Sequence, residues 1–176
     1  MKTAQVTIEG LSALLMHKFP IVAIEGIEKL SKEDQAEHSA YRSRDGELHI
    51  PGVNLQRALV AGGVYSKGKG RASLQKTVAA TALVTPEVLT LGTKEYDIDS
   101  RRVVIKATGG AIVRHRPRID DWGISFNLTF DPLLITEEQL EKVVMDTGML
   151  VGLMDFRPEK KGPFGRFAIT SWEKAA

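Results

Sequence analysis

The chain has 176 residues, of which 43% are hydrophobic; it has no cysteine and a formal net charge of +2 at pH 7. This length suits one substantial hydrophobic core and is short for two, so we expect a single domain over residues 1–176. The lack of cysteine excludes a disulfide framework and thiolate metal or redox sites, and it favours a cytoplasmic location.

The N-terminal part of the chain predicts a strand followed by a polar insertion. Gln5, Thr7 and Glu9 interrupt the apolar pattern of residues 3–15, which favours a long strand over a signal peptide. No apolar run is long enough to cross a membrane. Residues 17–46 are too polar and too long for a simple connection, so they predict a partly helical insertion that leaves the core.

The stretch LHIPGVNLQRAL, residues 48–59, predicts a strand that turns directly into a helix. Residues 48–50 form the strand, Pro51 and Gly52 form the corner, and Asn54 is the expected N-cap. The helix ends at Gly62 and Gly63. Its predicted apolar face consists of Leu55, Ala58, Leu59 and Gly62.

The rest of the chain predicts more strands and a second long helix. Residues 78–91 read as extended, residues 102–116 as a hairpin with a glycine turn, and residues 122–130 as an alternating strand. Residues 136–139 form a capping box that opens a helix, and residues 167–172 form the last strand. This order predicts an α+β fold with two helices packed on an antiparallel sheet, as in an RRM-like or ferredoxin-like core with an insertion.

Basic residues concentrate in three segments that are candidates for binding a polyanion. The loop at residues 66–73 supplies Lys67, Lys69 and Arg71. Residues 101–118 contain no acid, and Arg114, Arg116 and Arg118 alternate, so a strand would point them to one face about 6.6 Å apart. The glycine-rich residues 157–166 supply Arg157, Lys160, Lys161, Gly162, Phe164, Gly165 and Arg166. Their glycines allow a backbone to approach phosphates, and the Phe164 ring is suited either to base stacking or to core packing.

Two motifs resemble those of the RAMP superfamily, the CRISPR-associated backbone and processing subunits. The sequence IPGVNL, residues 50–55, is similar to the Ile-Pro-Gly-Ser-Ser-Leu motif that begins the first helix in that superfamily, with Val53 and Asn54 in place of the serines. Arg57 comes one position later than the family's basic residue. Residues 152–167 resemble the superfamily's glycine-rich loop, and residues 17–46 fall where backbone subunits carry a thumb insertion.

The resemblance implies an RRM-like protein whose copies line up along a single-stranded RNA, often a guide RNA, together with other subunits of a complex. The three basic segments are the expected contacts. Single-stranded DNA is the alternative ligand, because the preference for RNA rests on the resemblance alone. Scattered histidines and carboxylates give no zinc or calcium pattern, and KGKGRAS lacks P-loop spacing, so neither a metal nor a cofactor is expected.

Two other functions stay open at this point. Relatives in the superfamily that process CRISPR RNA use a histidine with a tyrosine or lysine. A metal-independent endoribonuclease would therefore have His17, or the i,i+3 pair His38 and Tyr41, as candidates, and no catalytic residue is assigned. A viral or mobile-element inhibitor would use the same basic loops to bind a signalling nucleotide or a protein.

Overall fold

The computed structural model describes residues 1–105 and 107–174, so Lys106 of the basic segment 101–118 lies outside the described residues. The strands are β1 (Lys2–Gly10), β2 (Leu14–Leu15), β3 (His49–Pro51), β4 (Leu83–Thr85), β5 (Val88–Thr90), β6 (Asp97–Val104), β7 (Ala111–Ile119), β8 (Gly123–Phe130) and β9 (Phe167–Glu173). The helices are α1 (Lys32–Ser39), α2 (Gly52–Gly62), α3 (Gln75–Thr81) and α4 (Glu137–Asp146), and a π-helical turn (Thr147–Val151) follows α4. The predicted α+β class with antiparallel sheets is confirmed. None of the described helices is long and apolar enough to cross a membrane.

The largest sheet in the described chain has four antiparallel strands in the order β4-β8-β1-β9. Apolar residues alternate along its two central strands, so they share one face of the sheet. Val6 lies opposite Phe126 and Ile8 lies opposite Ile124, and all of these side chains are buried. The strand predicted over residues 122–130 is therefore confirmed as β8.

Helices α2 and α4 belong to the same hydrophobic core as this sheet. The capping box of α4 is confirmed: the Gln139 backbone N–H donates to Thr136 Oγ1, and the Thr136 backbone N–H donates to Gln139 Oε1. The helix predicted from residue 54 is confirmed on its apolar face, and its last residue is Gly62. The apolar residues that the two helices bury are Leu55, Ala58, Leu59, Leu140, Val143 and Val144.

The start of α2 differs from the prediction. Its N-cap is Pro51 in an extended conformation, and Asn54 lies in the first turn, so the predicted N-cap at Asn54 is wrong. The helix begins earlier because Gly52 packs against the turn between β4 and β5. A Cβ at Gly52 would lie 2.7 Å from the Pro86 carbonyl oxygen, so only glycine permits this corner.

The single strand predicted over residues 3–15 is wrong, because the chain changes sheets within it. β1 ends at Gly10, and β2 pairs with β7 in a second antiparallel sheet of order β2-β7-β6. Trp122 explains the break: a Cβ at Gly10 would collide with its indole, and its Nε1 donates to the Ser12 carbonyl oxygen at 2.8 Å. The predicted hairpin is confirmed as β6 and β7, which lie in this second sheet.

Residues 78–81 form the end of α3, although they are predicted as extended. Val78 and Thr81 are both buried and lie about one helical turn apart, so a helix brings them to the core together. The later part of the predicted extended segment is confirmed as β4 and β5, on either side of Pro86.

The insertion at residues 17–46 contains a 3-10 turn over Ile27–Lys29 and helix α1, which packs against β7. Glu37, in the last turn of α1, connects the insertion to the rest of the chain through hydrogen bonds. Its carboxylate accepts hydrogen bonds from Arg42 and from the Tyr96 hydroxyl, at 2.8 Å and 2.9 Å to Oε2. Burial, together with the hydrogen bond to Glu37, raises the pKa of Tyr96 to about 12.

Candidate nucleic-acid interface

A basic groove of about 560 Å³ lies between the β6–β7 hairpin and the loop that follows the π-helical turn. Asp155 is the acidic residue among the described residues that line it, and His17 borders one end. The groove brings together four of the predicted contact residues, although more than 40 positions separate the first from the last. Its basic lining residues are Arg101, Arg102, Arg114, Arg116, Arg157 and Lys160.

One pair of like charges faces across the hairpin. Arg101 lies opposite Arg114, whereas Arg116 lies opposite the oppositely charged Asp99. Opposed guanidiniums repel and destabilise a sheet. Asp99 offsets part of this repulsion, because both of its carboxylate oxygens accept from Arg101 Nε at 2.8 Å. The hairpin therefore concentrates positive charge at the groove although the Arg101–Arg114 pair opposes the pairing of its strands.

Arg116 has a structural role in the groove. Its side chain is 5% exposed, its Nη1 donates to Asp155 Oδ2 at 2.6 Å, and its Nη2 lies 3.8 Å from Asp99 Oδ1. Two carboxylates therefore neutralise it. The prediction that Arg114, Arg116 and Arg118 present equivalent guanidiniums to one strand of nucleic acid is wrong, because only the first of them lines the groove without an ion pair within the described chain.

Three cations of the groove are available to a ligand. Arg102 and Lys160 are exposed, Arg114 is half-buried, and none of them forms an ion pair with a described residue. Arg157 is more constrained, since it donates to the Met154 carbonyl oxygen and to Glu159. The available positive charge is therefore concentrated on the hairpin and at the start of the glycine-rich segment.

Phe164 does not offer a ring for base stacking. It is 5% exposed and packs against Phe156 with ring centroids 6.0 Å apart. The guanidiniums of Arg101 and Arg118 cover it, at 4.8 Å and 5.9 Å from the ring centroid. Of the two alternatives for Phe164, packing is the one observed, so the predicted nucleic-acid contact at this ring is wrong. Arg118 is also held by Asp120, whose Oδ1 accepts from its Nε at 2.6 Å.

The glycines of the 157–166 segment serve the folding of the loop itself. A Cβ at Gly162 would collide with the Phe156 carbonyl oxygen, and one at Gly165 would collide with the Leu153 carbonyl oxygen. Both glycines are buried, which contradicts the expectation that their backbone lies open to phosphates. Lys161 is exposed, and Arg166 is half-buried, with an Nε that finds no partner among the described residues.

The basic loop at residues 66–73 lies away from the groove. Ser66 Oγ donates to Asp146 Oδ2 at 2.6 Å, which fixes the loop beside the carboxyl end of α4, and Lys67, Lys69 and Arg71 are exposed. The loop follows the carboxyl end of α2, whereas Asn54 at its amino end lies near the groove. Gly62, the last residue of α2, comes eight residues after Asn54, so about 12 Å of helix separates the two places. The predicted contacts thus do not form one continuous site.

A small cavity of about 160 Å³ adjoins the groove and shares His17, Asp155 and Arg157 with it. Tyr41 and Asn54 also line this cavity. His17 and Tyr41, two of the weak catalytic candidates, are therefore brought together. The i,i+3 pair His38 and Tyr41 would share a face only within a helix, and Tyr41 lies outside α1 because that helix ends at Ser39.

The surroundings of His17 favour its neutral form. Burial lowers the pKa of His17, the Asp155 carboxylate opposes the shift, and the guanidiniums of Arg114 and Arg116 lower the pKa further. Its Nδ1 is buried without a hydrogen-bond partner among the described residues. Burial raises the pKa of Tyr41, so this hydroxyl keeps its proton at neutral pH. A neutral imidazole accepts a proton and a phenol donates one, which is the pairing that acid–base catalysis uses.

Arg101, Arg102 and Asp155 are groove residues that are not among the predicted contacts. The acid-free basic run over residues 101–118 is the available signal for the two arginines, and no local pattern indicates Asp155. The part of the chain that the structure describes contains no group of three or more histidine or acidic side chains arranged to hold a metal ion. No protein-family model matches this chain, and neither does any curated protein.

Proposed function

We propose that the protein binds single-stranded nucleic acid, with RNA as the expected strand, through the basic groove. The observation that carries the proposal is a set of cations along one groove that form no ion pair with any described residue: Arg102, Arg114 and Lys160. Guanidiniums donate to phosphate oxygens in a planar, bidentate manner, so they suit a phosphodiester backbone. Val103, Val104 and Phe156 line the same groove and offer apolar surface to the bases.

The order of elements supports an RRM-like or ferredoxin-like core. When the intervening β2, β3, α1, α3, β5, β6 and β7 are left out, the elements β1, α2, β4, β8, α4 and β9 occur along the chain as β-α-β-β-α-β, with β1 and β8 at the centre of their sheet. This is the order of a split βαβ fold. The IPG motif begins α2, and the glycine-rich segment joins the π-helical turn to β9. We therefore propose a RAMP-like backbone subunit with residues 17–46 as its thumb, whose copies assemble side by side along a guide or other strand with further subunits.

Fluorescence anisotropy with labelled oligo-U RNA and the matching DNA tests the proposal, with strands of increasing length at two salt concentrations. We expect binding that tightens with length and weakens with salt, since each neutralised phosphate of a single strand contributes about 0.7 to the slope of log affinity against log salt. Failure to bind either strand would overturn the proposal. Saturation by a mononucleotide or cyclic dinucleotide alone would favour the signalling-nucleotide alternative instead.

A metal-independent endoribonuclease is a second candidate, because His17 and Tyr41 line one cavity beside the groove. In such a reaction neutral His17 takes the proton of a ribose 2′-hydroxyl, whose oxygen attacks the adjacent phosphorus. The bond to the 5′-oxygen breaks, and Tyr41 gives that oxygen its proton. The products are a 2′,3′-cyclic phosphate and a free 5′-hydroxyl, and no metal takes part.

The second candidate predicts that RNA is cut in the presence of EDTA and that an all-deoxy strand is not. His17→Ala and Tyr41→Phe are each expected to slow cleavage by about 10²- to 10⁴-fold, the usual contribution of a general acid or base. His38→Ala is the control and is expected to cleave normally, since His38 does not line this cavity. Gel analysis of end-labelled RNA measures the rate, and intact RNA after long incubation with the parent protein would remove this candidate.

A further inference from the structure

A second pocket, of about 380 Å³, lies between the insertion at residues 17–46 and the β6–β7 hairpin. Its apolar residues from the insertion are Phe19, Ile24 and Ile27. Those from the hairpin are Ile105, Ile112 and Val113. Helix α1 packs against β7 and thereby holds the insertion on the hairpin, while the space between them stays open. We call this space the insertion pocket, and its volume is within the range of about 300–1,000 Å³ that is usual for small-molecule sites.

The insertion pocket adjoins the basic groove, because His17 and Arg114 line both of them. Arg114 is half-buried and forms no ion pair with a described residue, so it is available to a phosphate at this junction. The other charged residues among the described lining of the pocket are Lys18 and Glu28, whose opposite charges offset each other. A ligand would therefore meet positive charge where the pocket joins the groove and a nearly neutral interior beyond it.

The polar groups of the pocket suit an uncharged ring with hydrogen-bonding edges. Gln35 Nε2 donates to the Leu30 carbonyl oxygen at 3.0 Å, which leaves the Oε1 of Gln35 to accept from a ligand. The Ser100 hydroxyl lies 2.7 Å from His115 Nδ1, which leaves the Nε2 of that ring for a ligand as well. Burial lowers the pKa of His17, so the imidazole at the junction is uncharged at neutral pH.

We propose that the insertion pocket receives one base of the strand that the basic groove binds. Proteins hold an unstacked base between apolar or aromatic side chains and contact its edges through hydrogen bonds, and the pocket offers both features. Because Arg114 lines the groove and the pocket, a phosphate that it binds would lie beside the base of the same nucleotide. The inference rests on the proposed function and gives the insertion a direct part in holding the strand.

Anisotropy titrations of the full chain with labelled oligo-U and with a strand of the same length that lacks bases test the base pocket. The variants Ile24→Trp and Ile27→Trp each add an indole to the pocket and change no residue that lines the groove. We expect the parent to bind oligo-U more tightly than the base-free strand. Each variant should weaken oligo-U binding by about tenfold, since the stacking of one base contributes on this scale. Binding of the base-free strand should stay unchanged, because its phosphates contact the groove alone.

Val22→Trp is the matched control, because Val22 is 79% exposed in the same insertion and does not line the pocket. It should bind both strands like the parent, and circular dichroism checks that every variant is folded. The inference is overturned, and the proposed function is not, if the parent binds both strands equally, if filling the pocket does not weaken oligo-U binding, or if it weakens both strands equally. Displacement of oligo-U by AMP at concentrations near the Kd of the strand would assign the pocket to a free nucleotide and overturn the inference too. A parent that binds neither strand would overturn the proposed function together with the inference.

Discussion

Replacing Arg102 or Arg114 with alanine is expected to weaken binding of a short single-stranded RNA by roughly tenfold, or about 1.4 kcal/mol, for each substitution. Both side chains reach the basic groove and lack an ion pair within the described chain, so each loses a phosphate contact without leaving a buried charge behind. The slope of log affinity against log salt should fall by about 0.7 for each lost contact. Anisotropy titrations at several salt concentrations measure both quantities.

The matched control for the arginine pair, the double variant Arg102→Ala with Arg114→Ala, is Lys2→Ala with Lys76→Ala. Both lysines are exposed and neither lines the groove, so the net charge changes as it does in the arginine pair while the groove stays intact. Affinity and salt slope should then stay close to those of the parent. Equal losses in the control and in the arginine pair would mean that overall charge, and not the groove, governs binding.

Arg116 is unsuitable for the same experiment, although it lies in the groove. Its removal would leave Asp99, which is 8% exposed, without one of its two arginine neighbours and would unpair Asp155. Breaking a buried ion pair from one side destabilises a protein by about 3–5 kcal/mol, and the exposure of Asp155 reduces that figure here. A loss of binding by such a variant would therefore report on folding as well as on the groove.

The elements that local patterns specify are predictable from the sequence. The alternation of Ile124, Phe126, Leu128 and Phe130 requires one buried face, and the capping box at Thr136 fixes where α4 begins. Patterns fail where a distant residue decides the outcome. β1 ends at Gly10 because of its contact with Trp122, which lies 112 positions later. No residue near Gly10 in the sequence indicates that the strand ends there.

The candidate site is less predictable, because its chemistry depends on partners far apart in sequence. Alternation correctly places Arg114, Arg116 and Arg118 on one strand, but it cannot reveal that Asp155, 39 residues away, neutralises the second of them. Likewise, Phe164 has the sequence context of an exposed loop ring, and only the hairpin register brings Arg101 over it. The positions of basic residues along the chain identify the basic segments. They do not show which of these segments lie on the same surface of the folded protein.

Replacing Gly165 with alanine is expected to lower the free energy of unfolding by about 2 to 5 kcal/mol. The residue has φ +71°, a left-handed conformation that costs a side chain about 1–2 kcal/mol. The added Cβ would also collide with the Leu153 carbonyl oxygen, and overpacking of this kind costs about 1–3 kcal/mol. Backbone hydrogen bonds of 2.8–2.9 Å to Ala13 and Leu153 prevent the loop from moving aside. Urea unfolding measures the change.

Gly70→Ala separates the two contributions. Gly70 has φ +65°, close to that of Gly165, but an added Cβ meets nothing within 4 Å, so the backbone cost of about 1–2 kcal/mol is expected alone. Equal destabilisation of the two variants would contradict the close approach of Gly165 to Leu153. Because Gly165 is buried, the folded fraction of its variant should bind RNA with the affinity of the parent. A specific loss of affinity at unchanged stability would mean instead that this backbone approaches the strand.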